Sequence, residues 1–480
     1  MSQAIRSPAT ASPKRPSIER DEFAAYVDRS WEELFGMDRA QVEAFQLAAA
    51  KKRFEELSGT VRVLKVQAEK TGVLRIDELN DVVPLLFHDA VYKSYPLSLI
   101  EKNRYGQLTE WLSTLTSVDL SSVDVAGIDG LDSWMDALES QAPLQIYHTS
   151  GTSGKMSFFP RSVLERDFYF EALTKQFAPW KSVPGAYLGR NGERMPCVFP
   201  TWRYGRHVMQ RNIPLFEKYV APTPDQVYTV TNGTLSADLI SLSGRIRLAQ
   251  AKGELKDMKL SDASRRALKR YLQEQQERPG ESSDFFRRMA EELAGKRVYI
   301  NCSQYLMYES AAAGLERGMR NLFASNSVGA SGGGSKGRGL PANWKEVVSE
   351  FTGIRPWGER YGMTEITGPM AKCSEGHFHI PLYQVPYQLD PETGAVLPRR
   401  GTVTGRFAFL DLLAQTYWGG FISGDRVTIE WDTQCSCGRK GAFLHADIVR
   451  YSEIVTGDDK ITCAATIDNT DTALQALINI

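Results

Sequence analysis

From Thr149 to Lys155, within YHTSGTSGKMSFFPRS, the chain offers four hydroxyls (Thr149, Ser150, Thr152, Ser153), two glycines (Gly151, Gly154) and the Lys155 ammonium. Glycines let backbone N–H groups approach a ligand closely, and such amides beside a point cation suit polyphosphate. The P-loop of nucleoside triphosphatases requires G-x-x-x-x-G-K-[ST]. Here Thr149 stands five before Gly154 and Met156 follows Lys155, so the hydroxyl that would hold magnesium is out of place. The stretch points to phosphate and away from that type of hydrolase.

Two later segments end in short polar turns with a carboxylate: RYGMTE, Arg360 to Glu365, and FISGDRV, Phe421 to Val427, which contains Asp425. A third set suits metal. KCSEGHFHIP supplies Cys373, His377 and His379, and QCSCGRKG supplies Cys435 and Cys437. Three thiolates and one imidazole make the closed tetrahedral set that structural zinc prefers, although C-x-C is tighter than the usual C-x2-C. Six cysteines in 480 residues, two of them in a C-x-C, suit metal or thiol chemistry better than a disulfide framework.

These segments need a scaffold large enough to present them. A chain of 480 residues exceeds the roughly 250–300 at which one core divides, so several units meeting at clefts are expected. With 57 basic and 58 acidic side chains, no net field marks nucleic acid or membrane as a partner. No run of about 18 apolar residues is present. The polar, Pro/Ser-rich start MSQAIRSPATASPKRPSIER has no apolar signal core, so a cytoplasmic protein with residues 1–20 disordered is expected.

Apolar residues at Leu47, Ala50, Phe54 and Leu57 predict a helical region over Asp21 to Gly72, and LDSWMDALESQ a further short helix. PLQIYHTSGTSGKMSFFPRS reads as strand, polar loop, strand. The segment 257–295 carries two charged helices broken at ERPGESS, followed by the strand KRVYINCS. SNSVGASGGGSKGRG reads as strand then Gly-rich loop, LPANWKEVVSEFTG as a helix stopped by Gly353, and IRPWGERYGMTE as a strand with its terminal loop. Beyond Pro391 the chain turns to short strands. The alternation predicts an α/β fold of layered sheets.

The order S-G-T-S-G-K, then Y-G-M-T-E, then S-G-D resembles the adenylate-forming superfamily of acyl- and aryl-CoA ligases over roughly residues 90 to 460. The pattern is most similar to phenylacetate-CoA-ligase-like enzymes and luciferase-operon acyl-protein synthetases. The resemblance implies a large adenylate-forming domain over 21–445, with layered α/β sheets and a small β-rich subdomain. It also implies ATP- and Mg²⁺-dependent adenylation of an aryl or fatty carboxylic acid, release of pyrophosphate, and transfer of the acyl group to a thiol. On this basis Thr149 to Lys155 cradle the β- and γ-phosphates, Tyr361 and Gly362 lie near adenine, Thr364 binds the α-phosphate, Glu365 holds Mg²⁺ and Asp425 takes the ribose hydroxyls. Trp202, Tyr204 and His207 are the candidate acyl pocket. The Gly-rich loop 329–339, with Lys336 and Arg338, falls where the superfamily walls its adenine pocket, and it is equally readable as an insertion. Some relatives carry a zinc on a Cys, His, Cys, Cys set, matching Cys373, His379, Cys435 and Cys437 and expected to pin the Glu365 loop to the later strands.

The resemblance also implies that the mobile C-terminal domain is largely missing, with 446–480 a remnant or tail holding no lysine motif of that domain, for which Arg450 or Lys460 are the nearest substitutes. Two explanations stand side by side. Either the second half-reaction is weak or supplied in trans, or Cys463 in KITCAAT takes the acyl group from the adenylate as a tail thiol. The expected partners are a small carboxylic acid and a thiol acceptor (CoA, a carrier protein or the chain's own cysteine), with a homodimer as one assembly option. Two other readings compete: a nucleotide-binding scaffold that has lost catalysis, and an adenylating enzyme with an unusual oxyacid or an amine acceptor.

Overall fold

Short β-rich runs separated by amphipathic helices leave a parallel sheet as the natural solution, because each helix carries the chain back to start the next strand on the same side. The structure, a computed structural model, describes residues 20–149, 155–175, 188–257, 260–277, 281–333 and 340–454. Its parallel sheet is ordered Val227–Leu235, Cys197–Gly205, Tyr299–Ser303, Val328–Gly332, Gly358–Tyr361, with Met370–Ala371 antiparallel at the edge. Helices that include Val208–Tyr219, Ala237–Lys252, Gln304–Glu316 and Trp344–Thr352 connect the strands. The two charged helices expected within 257–295 are Asp262–Glu277 and Glu281–Glu292. Gly353 ends Trp344–Thr352 as expected: its φ is +84°, and a Cβ there would stand 2.7 Å from the Phe323 carbonyl.

The chain begins this sheet at Cys197–Gly205, moves outward to Val227–Leu235, and crosses back to Tyr299–Ser303. The reversal opens a crevice between the carboxyl ends Gly205 and Ser303, where doubly wound sheets bind ligands.

The second sheet is organised by Gly420–Glu430. Thr402–Asp411 pairs along it in antiparallel fashion with a bulge between Arg406 and Ala408, and Phe87–His88, Phe443–Leu444 and Val449–Arg450 also pair with it. The strands expected to be short here are 10 and 11 residues long. Phe407, Phe409, Tyr387 and Trp418 are buried in one apolar core with Ala50, Phe54 and Leu57 of the helix Arg39–Leu57. The N-terminal helices therefore close one side of this sheet.

Between the two sheets lies the hairpin Gln145–His148 and Phe158–Arg161. Successive strand residues point to opposite faces. Phe158 accordingly packs with Trp134 and Tyr95, while Phe159 stacks at 4.3 Å on Tyr92 in the core of the antiparallel sheet. The strands of the hairpin are buried on both faces. Among the described residues no helix is long and apolar enough to cross a membrane.

Candidate active site

RYGMTE leaves the last parallel strand through a close turn. A Cβ at Gly362 would meet the Pro369 Cβ at 2.9 Å, so glycine is needed there. The Ile366 N–H donates to the Met363 carbonyl, which puts Thr364 and Glu365 at the tip. Tyr361, just before the turn, donates its hydroxyl to Asp425 Oδ2 at 2.7 Å. This bond joins the parallel sheet to the central strand of the antiparallel one, since Asp425 lies inside Gly420–Glu430. Arg450 sits opposite Asp425 in register and brings its Nε to 3.6 Å from Oδ1. Burial and the neighbouring Asp425 charge keep the Tyr361 phenol protonated.

Glu365 keeps part of its surface open to solvent, although its carboxylate is surrounded by protein atoms. Burial pushes that carboxyl up to about 7, with Asp425 adding to the rise, while its own backbone N–H, Arg161 and Arg450 pull the other way. A bound divalent cation would favour the ionised form and reverse this rise. The residues fit a Mg²⁺ ligand of the kind that uses one carboxylate together with phosphate oxygens.

The hairpin fixes the two ends of the phosphate-type loop. The Thr149 hydroxyl accepts from the Ser157 N–H at 3.0 Å and its own N–H donates to the Ser157 carbonyl, closing the base of the loop. His148 is fully buried beneath it, with Nδ1 3.1 Å from the Thr149 carbonyl. Since a carbonyl only accepts, Nδ1 carries the proton. Burial holds this imidazole neutral down to about pH 3, helped by the Arg211 and Arg206 charges. The Lys155 ammonium lies 4.6 Å over the Tyr95 ring, its pKa lowered by burial and by Lys93. Ser150, Gly151, Thr152, Ser153 and Gly154 lie outside the described residues, as do Lys336, Arg338, Lys460 and Cys463.

On the acyl side the three expected residues part company. Trp202 is buried in an apolar cluster with Leu235 and Phe158, so it packs rather than lines a free surface. Tyr204 is 46% exposed at the strand's carboxyl end. His207 precedes the helix Val208–Tyr219, its ring 6.3 Å from that of His148. At the neighbouring strand end, Arg360 donates to the Asn301 side-chain oxygen, and the Asn301 amide reaches Met209 Sδ at 3.5 Å.

Cys373, His379, Cys435 and Cys437 bring four ligand atoms within 4.8 Å of one another. Cys373 Sγ is 3.9 Å from Cys435 Sγ, and Cys437 Sγ is 3.2 Å from His379 Nε2. Tetrahedral zinc separates its ligand atoms by about 3.5–3.8 Å, so this set fits that ion. His377 Nδ1 stands 3.3 Å from Cys435 Sγ, and Arg439 donates to Cys437 Sγ at 3.5 Å, each placed to support a thiolate. Cys373 follows the edge strand of the parallel sheet and His379 belongs to the antiparallel sheet, so the cluster also crosses the seam.

No family model matches the sequence, and no curated protein matches it. The structure itself is similar to 2-hydroxyisobutyryl-CoA ligase, solved in an open conformation with 2-HIB-AMP and CoA. The TM-score is 0.51 at 11% identity, over 86% of this chain and 70% of that one. The same ligase in its postadenylation state with R3-HIB-AMP aligns with TM-score 0.51 at 10% identity, over 88% and 70% of the two chains. Its thioesterification state, with 2-HIB-AMP and CoA, aligns with TM-score 0.51 at 11% identity, over 87% and 70%. The chain shares the fold of this ligase.

Within that fold the structure brings Tyr361, Gly362, Thr364, Glu365 and Asp425 to one seam, and Thr149 closes the base of the hairpin loop. Sequence reasoning missed two residues there, Arg161 and His148, and the pairing of a third, Arg450. Arg161 donates from Nη2 to the Thr364 carbonyl at 2.6 Å and from Nε to the Tyr417 hydroxyl at 3.1 Å. Its signal, an arginine inside the aromatic strand SFFPRS, is visible in the sequence. His148 was equally visible as a histidine in an apolar strand. The pairing of Arg450 with Asp425 had no sequence signal, because it depends on strand register.

Proposed function

We propose that the chain activates a carboxylic acid with ATP and Mg²⁺, forming an acyl-adenylate and pyrophosphate, and passes the acyl group to a thiol. The observation that carries this reading is the Tyr361–Asp425 bond, which joins the Y-G-M-T-E and S-G-D segments at one seam beside the phosphate-type hairpin. The neighbours caught with an acyl-AMP and CoA support the same chemistry. Asp425 accepts ribose hydroxyls, Thr364 donates to the α-phosphate, and the Thr149 to Lys155 loop with its ammonium steadies the departing pyrophosphate. Attack of a carboxylate oxygen on the α-phosphorus sets two anions in line, so positive charge and fixed donors at this turn lower the barrier. Glu365 would hold Mg²⁺, which would supply neutralising charge for the phosphates. Tyr204 and His207, at the crevice of the parallel sheet, are the acyl-side residues, with Trp202 supporting them from the core.

CoA is the proposed thiol acceptor, with Cys463 or a carrier protein as the competing thiols. Cys373, His379, Cys435 and Cys437 would hold a structural zinc that would clamp the two sheets near the catalytic turn. Exchange of labelled pyrophosphate into ATP across a panel of acids is the test. Exchange dependent on one class of acid is the expected result. A flat response to every acid, with Mg·ATP still bound, would leave the nucleotide-binding scaffold as the better reading.

A further inference from the structure

A buried guanidinium is costly unless a carboxylate neutralises it. Four arginines are buried among the described residues: Arg53, Arg161, Arg203 and Arg245. Arg53 pairs with Asp21 and Glu56, Arg203 with Glu217, and Arg245 with Glu101 at 3.9 Å. Arg161 is fully enclosed and forms no ion pair with any described residue. It is held by the Tyr417 hydroxyl, the Thr364 carbonyl and the faces of Tyr147 and Tyr417 at 5.0 and 5.8 Å, and its Nη1 has no partner among the described residues.

Packing alone would be served by an apolar side chain of similar volume, without the charge. What arginine alone supplies is a rigid fork spanning from the hairpin to the Thr364 carbonyl. Its charge also acts on Glu365 and Asp411 without touching either as an ion-pair partner. The neighbouring Glu165 makes the contrast plain. This buried carboxylate is satisfied by the Gln415 and Thr416 N–H groups, the Thr416 hydroxyl and the Ser162 N–H, and so fastens the hairpin's following helix to the loop that carries Tyr417. It does so without contact to Thr364.

The geometry points to Arg161 as a positioning residue for acid activation. It pins the Thr364–Glu365 turn to the hairpin of the phosphate loop and keeps an unneutralised positive charge beneath the place where phosphate binds. This rests on the reading of that turn as the α-phosphate and Mg²⁺ site.

Arg161→Lys, Arg161→Met and Glu165→Gln, compared by pyrophosphate exchange per folded molecule and by thermal unfolding, test it. Arg161→Lys keeps the charge but loses the fork. It is expected to melt within about 3 °C of the parent and to lose at least about tenfold in exchange turnover with the KM for the acid unchanged. Arg161→Met is expected to lose about a hundredfold, while Glu165→Gln melts lower but keeps its turnover within about twofold. The inference is overturned if both Arg161 variants turn over within about threefold of the parent, or if Glu165→Gln falls as far as Arg161→Lys. Should Arg161→Met not fold, Arg161→Lys decides alone. A parent that exchanges with no acid defeats the adenylation reading separately. Equilibrium binding of Mg·ATP then decides: about tenfold weaker binding by Arg161→Lys sustains the inference, and equal affinity overturns it.

Discussion

The cysteine cluster and the Thr149–Asp425 side both join the parallel sheet to the antiparallel one, yet they differ in readiness. In the cluster the four ligand atoms already stand together. On the other side each group is engaged elsewhere: the Thr149 hydroxyl with the Ser157 N–H, the Lys155 ammonium with the Tyr95 ring, and the Asp425 carboxylate with Tyr361 and Arg450. A structural metal needs a single geometry for the life of the fold. A site that binds, reacts and releases needs groups whose resting partners are weak enough to exchange.

The largest effect should come from dismantling the preassembled side. Cys435→Ser, or removal of the metal with a chelator, is expected to reduce zinc from one per chain to none by elemental analysis. Melting should fall by roughly 5–10 °C, since metal bound to a folded site stabilises it directly. An unchanged melting temperature with zinc absent would show the cluster to be incidental to the join.

The next effect concerns the hairpin on the other side. His148 lies under the Thr149 loop, and burial depresses its pKa to about 3. The folded state therefore resists protonation. The stability this gives is complete above the unfolded value near 6.5 and is lost as pH falls from there toward 3. Between pH 6.5 and 5 the loss should be about 2 kcal/mol by urea unfolding, and His148→Gln should flatten that slope. A parent slope no steeper than the variant's would show that His148 does not set this pH dependence.

Much of this scaffold was legible in the sequence. Strand, loop, strand around Thr149, the paired charged helices within 257–295 and the stop at Gly353 follow from periodicity and from glycine, because local sterics dictate them. The grouping of Cys373, His379, Cys435 and Cys437 was legible because thiol and imidazole at such spacing have few other joint uses. Register was not legible. Nothing local says that Arg450 faces Asp425, or that the strand with Asp425 runs 11 residues through the centre of its sheet. Trp202 shows the same limit: an aromatic at a strand end reads equally well as pocket or core, and only the packing of Leu235 and Phe158 makes it core.

Smaller again is the effect of removing the ribose-side carboxylate. Asp425→Asn is expected to raise the KM for ATP about 10- to 30-fold in the exchange reaction, with zinc content and melting nearly unchanged, because the amide keeps the shape and loses the charge. A fall in zinc content alongside would mean that the two halves of the seam are one cooperative unit.

The smallest effect is the most discriminating. Tyr361→Phe keeps the ring and deletes the hydroxyl that donates to Asp425. If that bond is a resting partner that a ribose hydroxyl must displace, its loss spares the nucleotide the exchange, and ATP should bind about two- to fivefold more tightly, within the roughly 0.5–1 kcal/mol of a net hydrogen bond. If instead the phenol fixes the carboxylate in its binding rotamer, the same variant weakens ATP by a similar factor. In that case Tyr361 and Asp425 are preorganised in the manner of the cysteine cluster, and the contrast between the two regions narrows to the loop from Thr149 to Lys155. Isothermal titration with Mg·ATP reads the sign directly, and tighter binding is the result expected from a carboxylate that already has two partners before any ligand arrives.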